Sequence, residues 1–225
     1  MKLVCQMSSI LHLQRNLLES NLNIFFLDTC PKLAAQAHID THIVKMPTEL
    51  AQICSTVYQE LIGKRDENVY KPTHSNHPST KWAKAYESNL QFTILAGIYL
   101  CEEYKVRYKK QHSAYDVFRY ISEFNLNIIS GQKDIINFGE YKITPPALAM
   151  PEKYKSDDPV KSYRDYYIAE KTRRKDGRVM MDYTEREPPT WLEEEFVFKK
   201  VKNKTIMKER KCEKSNIELL TVDLI

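Results

Sequence analysis

Apolar residues recur every three or four positions along two long stretches of the chain, and each stretch predicts a helix with one buried face. In the first, residues 33–62, the stripe is Ile39, Ile43, Met46, Leu50, Ile53, Val57 and Leu61, and Gly63 supplies a stop. Pro31 stands where a first helical turn tolerates a missing N–H donor. Pro47 lies inside the pattern and predicts a bend or split near Lys45 and Met46, because proline removes a hydrogen bond and crowds the preceding turn. The second stretch, residues 79–110, carries Trp82, Tyr86, Leu90, Ile94, Ile98 and Cys101, with Gly97 suited to close helix packing. A third helix is predicted over residues 114–123 on Tyr115, Phe118 and Ile121. Asp157-Asp158-Pro159 reads as a carboxylate cap with proline at the first helical position, opening a helix that continues to residue 175.

Between these elements the pattern weakens. NIFFLD, residues 23–28, is a short apolar run that suits a buried strand or a helix lead-in. Residues 125–151 have irregular periodicity and predict a loop with at most a short strand. DGRVMMDYT suits a turn and short strand, and WLEEEFVF a final packed segment. The expected fold class is therefore mainly α, a compact single-domain helical bundle with at most a few short strands. Residues 1–21 form an N-terminal extension, 22–198 the helical domain, and 199–225 a basic, mobile tail.

Composition narrows the function classes. With 225 residues and 42% hydrophobic content the chain can bury one substantial core. A net charge of +4 permits contact with phosphates without demanding it. Five cysteines, Cys5, Cys30, Cys54, Cys101 and Cys212, lie far apart in no zinc-ligand spacing and read as reduced thiols of an intracellular protein, in the host-cell cytoplasm and not secreted. The start lacks a convincing signal peptide, and no stretch reads as a membrane span. Only five glycines occur and no phosphate-loop pattern is present, so Rossmann and P-loop chemistries are disfavoured and no cofactor is implied.

The chemistry concentrates in HIDTHIVKMPTEL, residues 38–50. On a helix, His38, His42, Lys45 and Glu49, spaced by four, three and four, fall in one narrow sector bordering the apolar face. Groups placed there can be partly dehydrated and have shifted protonation equilibria. The competing reading is a solvated face held by pairs such as Lys45 with Glu49, worth about 0.2 to 0.5 kcal/mol each. His38 and His42 can also chelate one ion with Glu49 or His77, but the H-E-x-x-H pattern is absent and no metal is assigned. A second cluster, KPTHSNHPSTKW, places His74, His77 and Lys81 at a helix start, where free N–H groups suit an anion, although loop histidines are commonly just exposed. In a third, SYRDYYIAEKTRRK, Tyr163, Tyr167 and Glu170 share one side while Arg164 and Lys171 lie seven residues apart, a mixture that suits phosphate and base contacts or simply aromatic core anchors.

Four segments, LDTCPKLAAQAHIDTHIVKMPTE, YKPTHSNHP, AMPEKYK and YRDYYIAEK, occur in an order that resembles a group of short phage and virus proteins. More distantly, residues 23–112 resemble the phage pyrimidine-dimer DNA glycosylases of the endonuclease V type. That resemblance implies a compact helical protein acting on DNA through a Schiff-base intermediate. Two departures matter: 22 residues precede Asn23, the position matching that family's N-terminal amine, and Lys45 stands where the family has its catalytic glutamate. The resemblance therefore implies Lys45 as nucleophile or phosphate ligand, with Glu49 or Asp40 moving protons and Arg164 with Lys171 holding phosphates. His38 and His42 would complete the catalytic set, and Tyr167, His74, His77 and Lys81 the substrate contacts. The expected partner is DNA, with no membrane contact. An enzyme for a free phosphorylated small molecule and a non-enzymatic binding or counter-defence module are the alternatives.

Overall fold

The two long periodic stretches are each interrupted once, and the interruptions set the architecture. A computed structural model describes residues 22–124, 135–173, 179, 181–193 and 196–209. Among these residues there are six α-helices: α1 (Pro31–Ala37), α2 (Asp40–Ile62), α3 (Pro78–Ala85), α4 (Glu87–Tyr108), α5 (Ala114–Ser122) and α6 (Pro159–Tyr166), the last continuing as a π-helical turn over Tyr167–Lys171. The strands β1 (Ile136–Phe138) and β2 (Tyr141–Ile143) form a hairpin, and β3 (Asp182–Thr184), β4 (Phe196–Val201) and β5 (Lys204–Glu209) form an antiparallel sheet in the order β3-β5-β4. The chain is thus mainly helical but mixed, with two small sheets, and not the helical bundle that periodicity alone predicts.

The first interruption falls at His38–Ile39, not at Pro47. His38 and Ile39 are extended, whereas α2 runs through Pro47 without a break. Breaking a helix frees carbonyls and N–H groups that must find partners. Here the long-range partners are on hand. Arg107 Nη2 donates to Gln36 O at 3.0 Å and its Nη1 to His38 O at 2.8 Å. The Tyr183 hydroxyl donates to Ala37 O at 2.7 Å, and the Ile39 N–H donates to the Tyr167 hydroxyl at 3.1 Å. The second interruption is at Tyr86, which separates α3 from α4. There the buried Asn89 side chain donates to Trp82 O and to the Thr144 hydroxyl, both at 2.8 Å, and accepts the Thr144 N–H at 3.1 Å.

Local signals act where they were expected. Gly63 closes α2 in the left-handed conformation at φ 68°, and the Asp158 carboxylate accepts the N–H groups of Val160 and Lys161 with Pro159 next in line. Gly97 lies directly beneath the Phe118 ring, so α4 and α5 approach closely enough that a Cβ there would overlap it at 2.1 Å. The apolar run at 23–28 is neither helix nor regular strand. Leu22, Ile24, Phe25, Phe26 and Leu27 are all buried and thread through the core.

Lys199, where a mobile tail is expected, lies inside β4, and the hairpin returns through β5 as far as Glu209 with Val201 paired to Lys204. Charge along that stretch masked the inward positions of Phe196 and Thr205. Asp40 on α2 accepts from the Thr184 N–H and hydroxyl, at 2.9 and 2.7 Å, and Arg186 forks onto Glu103 of α4. These bonds fasten the sheet to the helices. The extension 1–21 and residues 210–225 lie outside the described residues.

Candidate functional site

The site is built on the N-terminal half of α2, where His42, Lys45 and Glu49 occupy successive turns of one face. Behind them the buried Phe25 ring stacks on His42, with centroids 5.6 Å apart and planes 7° from parallel, and meets Tyr167 edge-on at 5.2 Å. The His42 Nδ1 lies 2.6 Å from the Tyr167 hydroxyl. Burial, reinforced by the nearby charges of His38, Lys45 and Lys171, holds His42 well below the ordinary imidazole range. The ring is a neutral group at neutral pH.

Glu49 sits at the outer edge of this wall. Its side chain is 12% exposed, Oε1 lies 3.0 Å from Lys45 Nζ, and Oε2 accepts the Asn23 N–H at 3.1 Å. Burial raises its pKa, and the opposing influence of Lys45, the Asn23 N–H and Lys171 does not cancel that rise. Such a carboxyl can both hold and release a proton nearer to neutrality than a solvated one. Lys45, by contrast, is 44% exposed. Lys45 is thus accessible and ion-paired with Glu49, the arrangement of the competing reading, a solvated face held by that pair.

Lys171, at the end of the π-helical turn, places Nζ 4.9 Å from the centre of the Tyr166 ring. Tyr166 packs at 5.4 Å against Tyr154, whose other neighbour is Lys153 with Nζ 4.6 Å from its ring centre. Glu170 accepts from Lys153 and from the Tyr154 hydroxyl. A border of lysines and tyrosines thus extends from Lys171 beside the α2 face. Lys153 and Tyr154 escaped the sequence reading because they lie on a short 3-10 turn outside any periodic stripe.

Of the other predicted site residues, His38 adjoins this wall, its ring centroid 6.4 Å from that of His42. His38 is not on α2: it ends α1 with Nδ1 donating to Ala34 O at 2.7 Å, and burial lowers its pKa to about 4. Asp40 is held by Arg107 and Thr184 and serves the fold. His74 bonds the Thr73 hydroxyl, and the loop it occupies is tied to α2 through Thr56, 14 residues beyond His42 and so roughly 20 Å along the helix. His77 caps α3 by accepting the Ser79 N–H, with its pKa lowered by burial and by His74 to about 4, and Lys81 is exposed on the same helix. That cluster is separate from the α2 face.

Arg164 is separate as well. Its Nε donates to Leu27 O at 2.8 Å, it pairs with Asp28 at 3.2 Å, and its guanidinium lies 5.0 Å from the centre of the Trp191 ring. It lines a cleft of about 550 Å³ with Leu33, Gln36 and Glu187. Arg164 is thus engaged by Leu27, Asp28 and Trp191, whereas Lys171 lies against Tyr166. Among the described residues, no group of three or more His, Cys, Asp or Glu side chains is placed to share a metal ion. No described helix is long and apolar enough to cross a membrane. No protein-family model matches the sequence, and neither a curated protein nor a solved structure matches it.

Proposed function

We propose that the chain acts on nucleic acid, with Glu49 exchanging a proton with the substrate and Lys45 and Lys171 holding its phosphates. The observation that carries this reading is Glu49 itself, a largely dehydrated carboxyl with raised pKa set between a backbone N–H and an accessible ammonium. The lysine and tyrosine border adds the combination that suits a polyanion carrying flat bases. Base excision or modification in DNA is the reaction class the resemblance implies. In excision, Glu49 as carboxylate takes a proton from water, the water oxygen bonds to the sugar carbon, and the glycosidic bonding pair departs with the base.

Amine attack is less well supported. The matching position for the glycosylase amine, Asn23, is an amide nitrogen donating to Glu49, and Lys45 is ion-paired and open to solvent. Borohydride treatment with abasic duplex DNA is therefore expected to give no covalent adduct. An adduct that disappears in Lys45→Ala would restore Lys45 as nucleophile and overturn this assignment. The reading as a whole is tested by comparing Glu49→Gln with the parent chain on lesion-bearing and abasic duplexes. Loss of at least 100-fold in rate with unchanged DNA affinity is expected, on the scale of general acid–base contributions of roughly 10² to 10⁴. Retained rate in Glu49→Gln would remove the acid–base role.

One observation favours a second reading, an enzyme for a free phosphorylated small molecule. The cleft beside Arg164 and Trp191, about 550 Å³, falls within the size range of small-ligand pockets. That reading predicts binding of mononucleotides without salt-sensitive duplex binding.

A further inference from the structure

His38, which ends α1, and His42, in the first turn of α2, are held in opposite tautomers, and the geometry fixes both. His38 Nδ1 lies 2.7 Å from the Ala34 carbonyl oxygen, which can only accept, so the neutral ring carries its proton on Nδ1. Its Nε2 is then a bare acceptor, buried and, among the described residues, without a partner. That ring is a sealed structural piece.

His42 has the reverse arrangement, for a reason that lies in Tyr167. The Tyr167 hydroxyl is fully buried and already accepts the Ile39 N–H at 3.1 Å. Among the described residues its other partner is His42 Nδ1, at 2.6 Å. A buried O–H left without an acceptor is costly, roughly 1 to 3 kcal/mol, so the single phenolic proton points at Nδ1. Nδ1 is therefore unprotonated, and the neutral ring carries its proton on Nε2. Among the described residues Nε2 has no hydrogen-bond partner, and His42 as a residue is 7% exposed. Phe25, stacked flat on the imidazole, holds its plane.

From this geometry we infer that His42 is the site's neutral hydrogen-bond donor, its Nε2–H aimed by Tyr167 at an uncharged acceptor oxygen of the substrate, such as a base carbonyl. The ligand class rests on the nucleic-acid reading; the tautomer does not. The division of labour follows from charge. Lys45 and Lys171, on the same face and the adjoining turn, are matched to anionic phosphate oxygens, whereas a neutral N–H is matched to a carbonyl that gains negative charge as a bond to the base changes. The charged and titratable groups around the ring, His38 behind it, Lys45 one turn along α2, and Tyr167 and Lys171 from the π-helical turn, all oppose a second proton on it or leave it unaffected. Tyr167 acts through His42 and is a positioning residue.

The experiment is long-range ¹⁵N–¹H correlation NMR of the full chain labelled at its six histidines, with His42 assigned through His42→Gln. The expected result is a neutral ring with Nε2 protonated and Nδ1 bare throughout pH 5.5 to 7.5, about one unit either side of an ordinary imidazole pKa. In Tyr167→Phe, which keeps the aromatic packing and removes the hydroxyl, signals of the Nδ1–H tautomer should appear. A wild-type ring protonated on Nδ1, or one that titrates in the ordinary range, overturns the proposal without any variant. A duplex carrying one thymine dimer, whose bases keep their carbonyl oxygens, is then added: the His42 Nε2–H resonance is expected to move on binding. Salt-sensitive binding that leaves that resonance unmoved overturns the role of His42 while the nucleic-acid reading stands. Absence of duplex binding at low salt overturns the nucleic-acid reading and the ligand class with it, while the tautomer stands or falls on the spectrum of the free protein.

Discussion

His38 governs how the fold responds to acid. Its folded pKa is about 4 against 6.5 for a free imidazole, so between those values the unfolded chain binds a proton that the folded chain refuses. The contribution is fully present above about 6.5 and is lost as pH falls towards 4, on the order of 3 kcal/mol for His38 alone. His42 and His77, also lowered by burial, add in the same direction. Urea denaturation between pH 7.5 and 4.5 should show falling stability on acidification, and a flat profile would contradict the burial of these rings. Glu49 behaves oppositely, because its raised pKa means that ionisation costs more in the folded chain than in the unfolded one. Glu49→Gln keeps an acceptor for the Asn23 N–H, so stability should stay within about 1 kcal/mol while activity is lost. At this scale the sequence was partly legible. Helical spacing placed His42, Lys45 and Glu49 together, but spacing cannot report depth, so it left open whether Lys45 is dehydrated or the solvated partner of Glu49, which it is, and did not show that Asp40 is held by Arg107.

At the scale of elements, the two helix breaks depend on side chains far away in sequence. Arg107 is fully buried, satisfies the carbonyls of Gln36 and His38, and pairs with Asp40 and Glu103. Arg107→Met should destabilise by roughly 3 to 5 kcal/mol, because it leaves two buried carboxylates without their shared cation. Thermal or urea unfolding reads this directly, and a loss below 1 kcal/mol would show that the break at His38–Ile39 does not need the guanidinium. Gly97→Ala should cost at least about 1 to 3 kcal/mol, since the new methyl meets the Phe118 ring. Caps and stops such as Gly63 and Asp158-Pro159 were readable because their chemistry is local. The breaks were not, because uninterrupted apolar periodicity runs across both of them. Arg107, Tyr183 and Thr144 lie outside any window in which the pattern around their break is counted, and Asn89, three residues past Tyr86, acts there through the distant Thr144.

At the scale of the whole molecule, the small sheet is fastened to the helices through Asp40 with Thr184 and Glu103 with Arg186, while the α2 face with Lys45 and Glu49 lies beside the lysine and tyrosine border. The sequence placed the helices that carry this face and the packed start of β4, but mistook the rest of β4 and β5, from Lys199 on, for a mobile tail, since lysines dominate the exposed positions of that hairpin. The central claim is that the face made by Lys45, Glu49 and Lys171 receives a nucleic-acid backbone. The most direct measurement is duplex DNA affinity across a series of salt concentrations for the parent chain and for Lys45→Ala/Lys171→Ala. Affinity should fall steeply as salt rises, and the double variant should lose about two units of the logarithmic salt slope, one for each phosphate contact removed. Affinity that ignores salt, or a double variant with the parent's slope, would contradict the account.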